Sequence, residues 1–243
     1  MRRVAVIIPA RYGAQRFPGK LLADLAGRPL VAHVVERALR ARGVDEVAVA
    51  TDDQRIARAA EAAGARAIVT GPAETGTDRV AQAARVLSPR PGIVVNVQAD
   101  EPLIEPEAVE RLVAVMQQGG VEMATLARPL EAGELGRPQV VKVVTDLSGD
   151  ALYFSRAAIP HRRAGGASPL ARAHVGVYAF TAELLETFAT LPPGRLEREE
   201  ALEQLRALES GLKIRVVEAG YRGFGVDTPE DLERARALLG AGA

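Results

Sequence analysis

Four short apolar runs, at residues 3–8, 46–50, 65–69 and 93–97, are each followed by a segment of helical periodicity, at 30–41, 53–63, 78–87 and 106–118. No other feature constrains the fold as much. Continuous runs of this kind read as strands buried on both faces, and strands that alternate with helices build a mostly parallel sheet covered on both sides. Leu30, Val34, Val35, Ala38 and Leu39 share one face of the first helix, and Val109, Leu112, Val113 and Met116 share one face of the fourth. Pro9 is expected to end the first strand. Ligands of such sheets bind beyond the carboxyl ends of the strands. The loops at 9–20 and 98–105 leave those ends, so both should open onto one crevice.

The second half is less regular. Residues 140–145, 151–155 and 173–180 read as strands without long helices between them, which suggests antiparallel additions to the sheet or a small flap. Residues 160–172 read as a mobile loop. A helix is expected at 198–209, with Leu202, Leu205 and Leu208 inward, and a strand at 213–217. Thr228-Pro229-Glu230-Asp231 opens the last helix with a capping sequence. With no internal repeat or linker, residues 1–243 read as one domain, with a flap or dimerisation part around 150–180.

Composition excludes several functions. There is no cysteine, so disulfide frameworks, thiolate catalysis and thiolate metal sites are out. The three histidines, His33, His161 and His174, are not at metal-ligand spacing. Basic and acidic residues number 31 each, and a polyanion binder usually carries a basic excess, so nucleic acid is not an expected partner. The longest apolar run near the start has five residues, too few for a signal peptide or a membrane span. The expected location is the cytoplasm.

Three constellations carry chemistry. The first is the loop Ile8-Pro9-Ala10-Arg11-Tyr12-Gly13-Ala14-Gln15-Arg16-Phe17-Pro18-Gly19-Lys20. Its three cations and two glycines suit a polyphosphate. It is not an ATPase P-loop, because five residues separate the glycines and Leu21 follows Lys20; nor does it hold G-x-G-x-x-G. A solvated surface loop fits the same residues. The second pairs Asp100, in Val97-Gln98-Ala99-Asp100-Glu101-Pro102, with Asp227, in Gly225-Val226-Asp227-Thr228-Pro229. Two hard oxygen ligands at one crevice suit Mg²⁺ bound with phosphate. Alternatively, Asp100 is a turn residue and Asp227 stabilises a helix start. The third comprises Thr75-Gly76-Thr77-Asp78-Arg79 at a helix start, Arg156 at a strand end, His174 and Tyr178 four apart on one strand, and Glu203 with Gln204. An arginine among hydrogen-bonding side chains suits an acidic, hydroxylated ligand. Ordinary capping and sheet roles are the alternative.

In this order the segments resemble one family over nearly the whole chain, the 3-deoxy-manno-octulosonate cytidylyltransferases, or CMP-Kdo synthetases. The matching stretches include residues 7–20, 49–52, 75–79, 95–102, 123–127, 141–144, 151–156, 159–160, 202–206 and 225–234. The first is common to many sugar nucleotidyltransferases; the later ones are more specific together. The resemblance implies an α/β/α sandwich of the nucleotide-diphospho-sugar transferase type, a homodimer, and the reaction of CTP with Kdo to give CMP-Kdo and pyrophosphate. It implies catalytic roles for Arg11, Lys20, Asp100 and Asp227, with Mg²⁺ on Asp100 and Asp227. The nucleotide is expected against Pro9, Ala10, Arg11, Arg16, Lys20, Thr75, Gly76, Arg79, Gln98 and Asp100. Arg156, His174, Tyr178, Glu203 and Gln204 match positions that line the sugar pocket, with Arg156 near the sugar carboxylate.

The chain departs from the family pattern at several points. Ala99 stands where the family usually has Gly, so a methyl group narrows the crevice or changes the turn. Thr75 and Asp78 replace Ser and Glu, which keeps the chemistry. The segment after Ile159-Pro160 is short and lacks the usual aromatic residue, and Ala179-Phe180 replaces Gly-Tyr. These last changes leave a related sugar, such as an 8-amino form, open. CMP-sialate synthetases and methylerythritol-phosphate cytidylyltransferases carry different sequences at 98–101. A non-catalytic nucleotide-sugar binder on the same fold would be favoured by loss of Lys20 or either aspartate, and all three are present.

Overall fold

Along Val4–Ala10 every residue but Pro9 is buried, and alternate side chains enter different layers. Val4, Val6, Ile8 and Ala10 join one apolar layer, and Ala5 and Ile7 join the other. This period of two is what a strand with both faces covered requires. Removing Ile7 or Ile8 from water contributes about 1.5–3 kcal/mol each. The computed structural model describes residues 1–13, 17–163, 168–221 and 223–240.

The elements in chain order are β1 (Val4–Ala10), a hairpin of β2 (Asp24–Leu25) and β3 (Arg28–Pro29), α1 (Leu30–Arg40), β4 (Glu46–Thr51), α2 (Gln54–Ala62), β5 (Arg66–Val69), α3 (Gly76–Val86), β6 (Ile93–Asn96) and α4 (Pro106–Gln118). There follow β7 (Met123–Pro129), β8 (Lys142–Thr145), β9 (Ala151–Ser155), β10 (Arg172–Thr181), α5 (Ala182–Thr190), α6 (Arg195–Glu200), α7 (Gln204–Glu209), β11 (Arg215–Glu218) and α8 (Pro229–Gly240). The main sheet runs β11-β7-β10-β6-β1-β4-β5, and β8 and β9 extend from β10. β1 is parallel to β4 and β6, β4 to β5, and β7 to β11. Helices α1, α2, α4 and α8 cover one face; α3, α5 and α7 cover the other. The expected α/β/α architecture with a mixed sheet is what forms. Among the described residues, no helix is long and apolar enough to cross a membrane.

Four local expectations need correction. Pro9 does not end β1, which continues to pair Pro9 with Ala50 and Ala10 with Thr51. Ile7 accepts from Val97 N–H on the β6 side. Alternate residues along a strand present their backbone groups to the same side, so Pro9 faces past the end of β6, where its missing N–H costs no ladder bond. The helix expected at 198–209 is two helices. Ala201 between them sits at φ 51°, and this left-handed turn drops Leu202 into the core. Strand β10 is central rather than an addition, since it runs antiparallel to both β6 and β7. Helix α5 and strand β7 were not anticipated as elements; β7 fills the place between β10 and β11.

The antiparallel course of β10 matters for the site. It pairs Tyr178 with Asn96 at the carboxyl end of β6, and carries His174 beyond that end. The register against β7 shifts by two residues between Val175 and Tyr178. A shift of one would turn the later side chains to the opposite face; a shift of two preserves the alternation. His174 and Tyr178 therefore share a face, as their spacing suggested. Their rings lie 5.5 Å apart.

Candidate active site

The loop after β1 is closed at its base. Gly19 N–H donates to the Tyr12 carbonyl at 3.2 Å. Gly19 has φ +74°, and a Cβ there would lie 3.1 Å from the Tyr12 hydroxyl oxygen, so both conformation and space call for glycine. The Arg55 guanidinium covers the other part of this anchor, 3.7 Å from the centre of the Tyr12 ring, and Asp53 holds it at 2.6 Å. Arg16 lies outside the described residues.

Closing the loop this way delivers Lys20 to the crevice. Its ammonium donates to Asp100 Oδ2 at 2.6 Å, Asp227 Oδ1 at 2.9 Å and the Val226 carbonyl at 2.8 Å. All three donors of the ammonium are engaged. Burial works against its charge, but Asp100 and Asp227 outweigh burial and hold its pKa above the usual lysine value. The structure thus brings together Lys20 and the two aspartates, from positions 80 and more residues apart.

A cleft of about 360 Å³ opens around this cluster. Pro9, Ala10, Arg11 and Phe17 line one wall. Glu74, Thr75, Gly76 and Arg79 at the start of α3 line another. Gln98, Ala99, Asp100 and Asp227 complete it. Thr75 and Asp78 form a reciprocal cap on α3, with Thr75 Oγ1 accepting from Asp78 N–H and Asp78 accepting from Thr75 N–H. The cap and the position beside the cleft coexist. Arg79 is buried, and its guanidinium donates to Asp52 at 2.7 Å and to the Thr70 hydroxyl. Ala99 lines the cleft, is 5% exposed, and is not among the described residues with positive φ, so its methyl group strains no turn.

The two aspartates fit a divalent cation. Two carboxylate oxygens already converge within 2.9 Å of one positive atom, the Lys20 ammonium nitrogen. Among the described residues no group of three or more His, Asp or Glu could hold a metal. Magnesium commonly takes one or two carboxylates and fills the remaining positions with phosphate and water oxygens, so this donor set suits it.

A second polar cluster adjoins the first through Thr77 and Gln98. Thr77 Oγ1 on α3 donates to Glu203 Oε2 at 2.6 Å. The Gln98 amide donates to the Gly176 carbonyl, in the β10 irregularity, at 3.3 Å. The other Glu203 oxygen, Oε1, and the Gln204 amide nitrogen are buried without a hydrogen-bond partner. Burial raises the Glu203 carboxyl above its usual range. Burial, with the Glu203 charge, keeps Tyr178 a phenol well past its ordinary pKa. Burial also lowers His174 to about 3, so the ring is neutral. His174 Nε2 lies 2.9 Å from Thr125 Oγ1, and that hydroxyl lies 2.9 Å from the Val177 carbonyl. With Thr125 donating to the carbonyl, the neutral ring donates from Nε2.

The structure places Arg156 differently from its companions. Its guanidinium donates to the carbonyls of Glu200 at 2.7 Å, Pro138 at 3.2 Å and Ala201 at 3.3 Å, while the Glu200 carboxylate accepts from Arg156 N–H and Ser155 Oγ. Buried Lys142 closes the same corner by donating to the carbonyls of Arg137, Val140 and Arg156. Ala179 and Phe180, the residues that depart from the family pattern, point into the two apolar layers instead.

Sequence reasoning missed Thr77 as a ligand to Glu203, Asn96 beside Tyr178, Thr125 beneath His174, and the Glu101–Tyr221 pair. Asn96 carried a signal, a polar residue inside the run Ile93-Val94-Val95-Asn96-Val97. The others carried none, because their partners lie on remote segments.

The comparisons with known proteins identify the family. A cytidylyltransferase family model matches residues 5–214. A 3-deoxy-manno-octulosonate cytidylyltransferase of Anaeromyxobacter sp. (strain K) is 78% identical over 243 residues, all of both chains. Another, of Myxococcus xanthus (strain DK1622), is 48% identical over 98% of this chain and 97% of its own. The solved structure of a CMP:2-keto-3-deoxy-manno-octonic acid synthetase complexed with CTP superposes with a TM-score of 0.94 at 42% identity, covering 99% of this chain and 100% of that one. A 4-diphosphocytidyl-2C-methyl-D-erythritol synthase from Anaerococcus prevotii, at 16% identity and a TM-score of 0.66, shares the fold alone.

Proposed function

This chain belongs to the 3-deoxy-manno-octulosonate cytidylyltransferase family, and from that premise we propose how its residues convert CTP and Kdo into CMP-Kdo and pyrophosphate. The observation that carries the reading is the convergence of Lys20, Asp100 and Asp227 at the carboxyl ends of the sheet, in a cleft walled by the start of α3.

The cleft takes CTP. Its triphosphate faces Arg11 and Lys20, and Pro9, Ala10, Thr75, Gly76, Arg79 and Gln98 lie against the nucleotide. Asp100 and Asp227 would hold Mg²⁺. When bound, Mg²⁺ neutralises charge on the triphosphate and stabilises pyrophosphate as it departs. Lys20 passes its hydrogen bonds from the carboxylates to phosphate oxygens, so a cation stays at the triphosphate throughout. The anomeric hydroxyl oxygen of Kdo forms a bond to the α-phosphorus, the bond from that phosphorus to the bridging oxygen breaks, and the hydroxyl proton leaves to solvent. Transfer of this kind depends on positioning and charge neutralisation more than on covalent catalysis.

Kdo occupies the second cluster. Glu203 Oε1, 3.9 Å from the Arg206 guanidinium, and the Gln204 amide nitrogen are buried without a hydrogen bond, and sugar hydroxyls would supply one to each. Neutral His174 and phenolic Tyr178 add uncharged hydrogen bonds. Arg156 spends three of its donors on carbonyls, which leaves one N–H on each terminal nitrogen for the sugar carboxylate.

The protein works as a homodimer in the cytoplasm, binds neither nucleic acid nor membrane, and its product serves lipopolysaccharide biosynthesis. Exposed Leu147, Leu152 and Leu170 around β8, β9 and the start of β10 support the dimer. Phosphorus NMR of the chain with CTP, Mg²⁺ and Kdo tests the reaction. New CMP-Kdo and pyrophosphate signals in equal amounts are expected; unchanged CTP would refute it.

A further inference from the structure

The two aspartates of the Lys20 cluster come from loops remote in sequence, and a second contact ties those loops together. In the first, Val226 N–H donates to the Asp100 carbonyl at 2.8 Å. In the second, the Tyr221 hydroxyl donates to Glu101 Oε2. Each partner is fixed on its own side. Tyr221 is 2% exposed within the apolar layer that holds α4 and α8, and Ala219 just before it donates to the Ala127 carbonyl on β7 at 2.8 Å. At Gly223 the chain passes so close to the phenol that a Cβ would fall 2.0 Å from its oxygen. Glu101 N–H donates to the Gln98 carbonyl at 3.3 Å, and its own carbonyl accepts from Ile104 N–H at 3.1 Å.

Nothing in packing alone requires a phenol and a carboxyl here. Taking both out of water is costly, and an apolar pair of similar volume would stabilise the core at least as well. What the pair does provide is a bond of fixed length between the segment that carries Asp100 and the segment that carries Asp227. We propose that Tyr221 and Glu101 are positioning residues, a strut that sets the spacing of Asp100 and Asp227 for the divalent cation and the triphosphate bound with it. This rests on the reading that those two aspartates hold the cation. Neither strut residue touches the reacting atoms. Partners one step removed from metal ligands commonly govern affinity in this way.

The test is Mn²⁺ binding to the full chain in saturating CTP without sugar, followed by the electron paramagnetic resonance signal of free Mn²⁺. Wild type binds Mn²⁺ and Asp100→Asn does not. Tyr221→Phe, which keeps the ring in the core, binds roughly tenfold more weakly. It binds CTP in the absence of metal as wild type does. Glu101→Gln, whose amide oxygen still accepts from the phenol, restores near-wild-type affinity, whereas Glu101→Leu matches Tyr221→Phe. Wild-type Mn²⁺ affinity in Tyr221→Phe, or equal loss in both Glu101 variants, overturns the strut. Should Tyr221→Phe melt below the assay temperature, the two Glu101 variants decide the matter alone. Failure of wild type to bind Mn²⁺, or binding indifferent to Asp100, overturns the metal reading and the strut with it.

Discussion

The Lys20 ammonium lies 2.6 Å from Asp100 Oδ2, with the two residues joined across 80 positions of sequence. A lysine thus rests between the carboxylates assigned to a divalent cation, its charge reinforced by them. Exchanging Lys20 for methionine keeps the length of the side chain and removes the charge. Turnover is expected to fall on the order of 10²–10³-fold, as when a preorganised charge at a reacting centre is removed. Lys20→Arg is not expected to rescue, because Lys20 is only 8% exposed and a planar fork cannot reproduce three convergent bonds. Steady-state pyrophosphate release checks both.

Asp100→Asn keeps the shape of the side chain and halves its capacity to hold a cation. Turnover should vanish while far-ultraviolet circular dichroism stays that of wild type. An unfolded variant, or one with near-normal turnover, would count against the role assigned to Asp100.

Arg156→Ala should weaken sugar binding and leave CTP binding unchanged, measured by titration calorimetry. Equal loss of both would contradict the assignment. Because the guanidinium also ties Glu200, Ala201 and Pro138, the variant should melt at a lower temperature. Arg156→Lys should recover neither property fully, since a single ammonium cannot span those carbonyls.

His174 sets an acid limit on stability. Burial lowers its folded pKa to about 3 from the ordinary 6.5. The unfolded chain therefore binds more protons between those values, so stability is full above about 6.5 and falls as pH drops toward 3. Glu101 acts oppositely. Burial raises it to about 7 from 4.5, so it adds stability as pH falls through that range. Denaturant titrations of wild type and His174→Gln separate the two. The difference between them should shrink below pH 6.5, and a difference that is constant with pH would show that His174 is not buried neutral.

Sequence exposed the parts of this molecule whose signals are local. The buried runs at 3–8, 46–50, 65–69 and 93–97 carry their strand character in their own residues, and Pro106–Gln118 is the helix its apolar spacing indicates. The pairing of Asp100 with Asp227 was legible because both lie where strands deliver loops. In the sequence Thr77 shows only its place beside a helix cap, because its bond to Glu203 spans 126 positions. The strut between Glu101 and Tyr221 was hidden for the same reason, with 120 positions between its partners. The helix break at Ala201 was invisible because alanine is a good helix former, and only tertiary packing holds it in a left-handed turn.

The most direct measurement is pyrophosphate release from CTP and Mg²⁺ with Kdo, 8-amino-Kdo and sialic acid offered separately. Release is expected with Kdo, to depend on Asp100 and Lys20, and to be far slower with the other two sugars. Absence of release with Kdo, while another acid sugar supports it, would contradict the assignment of the second cluster.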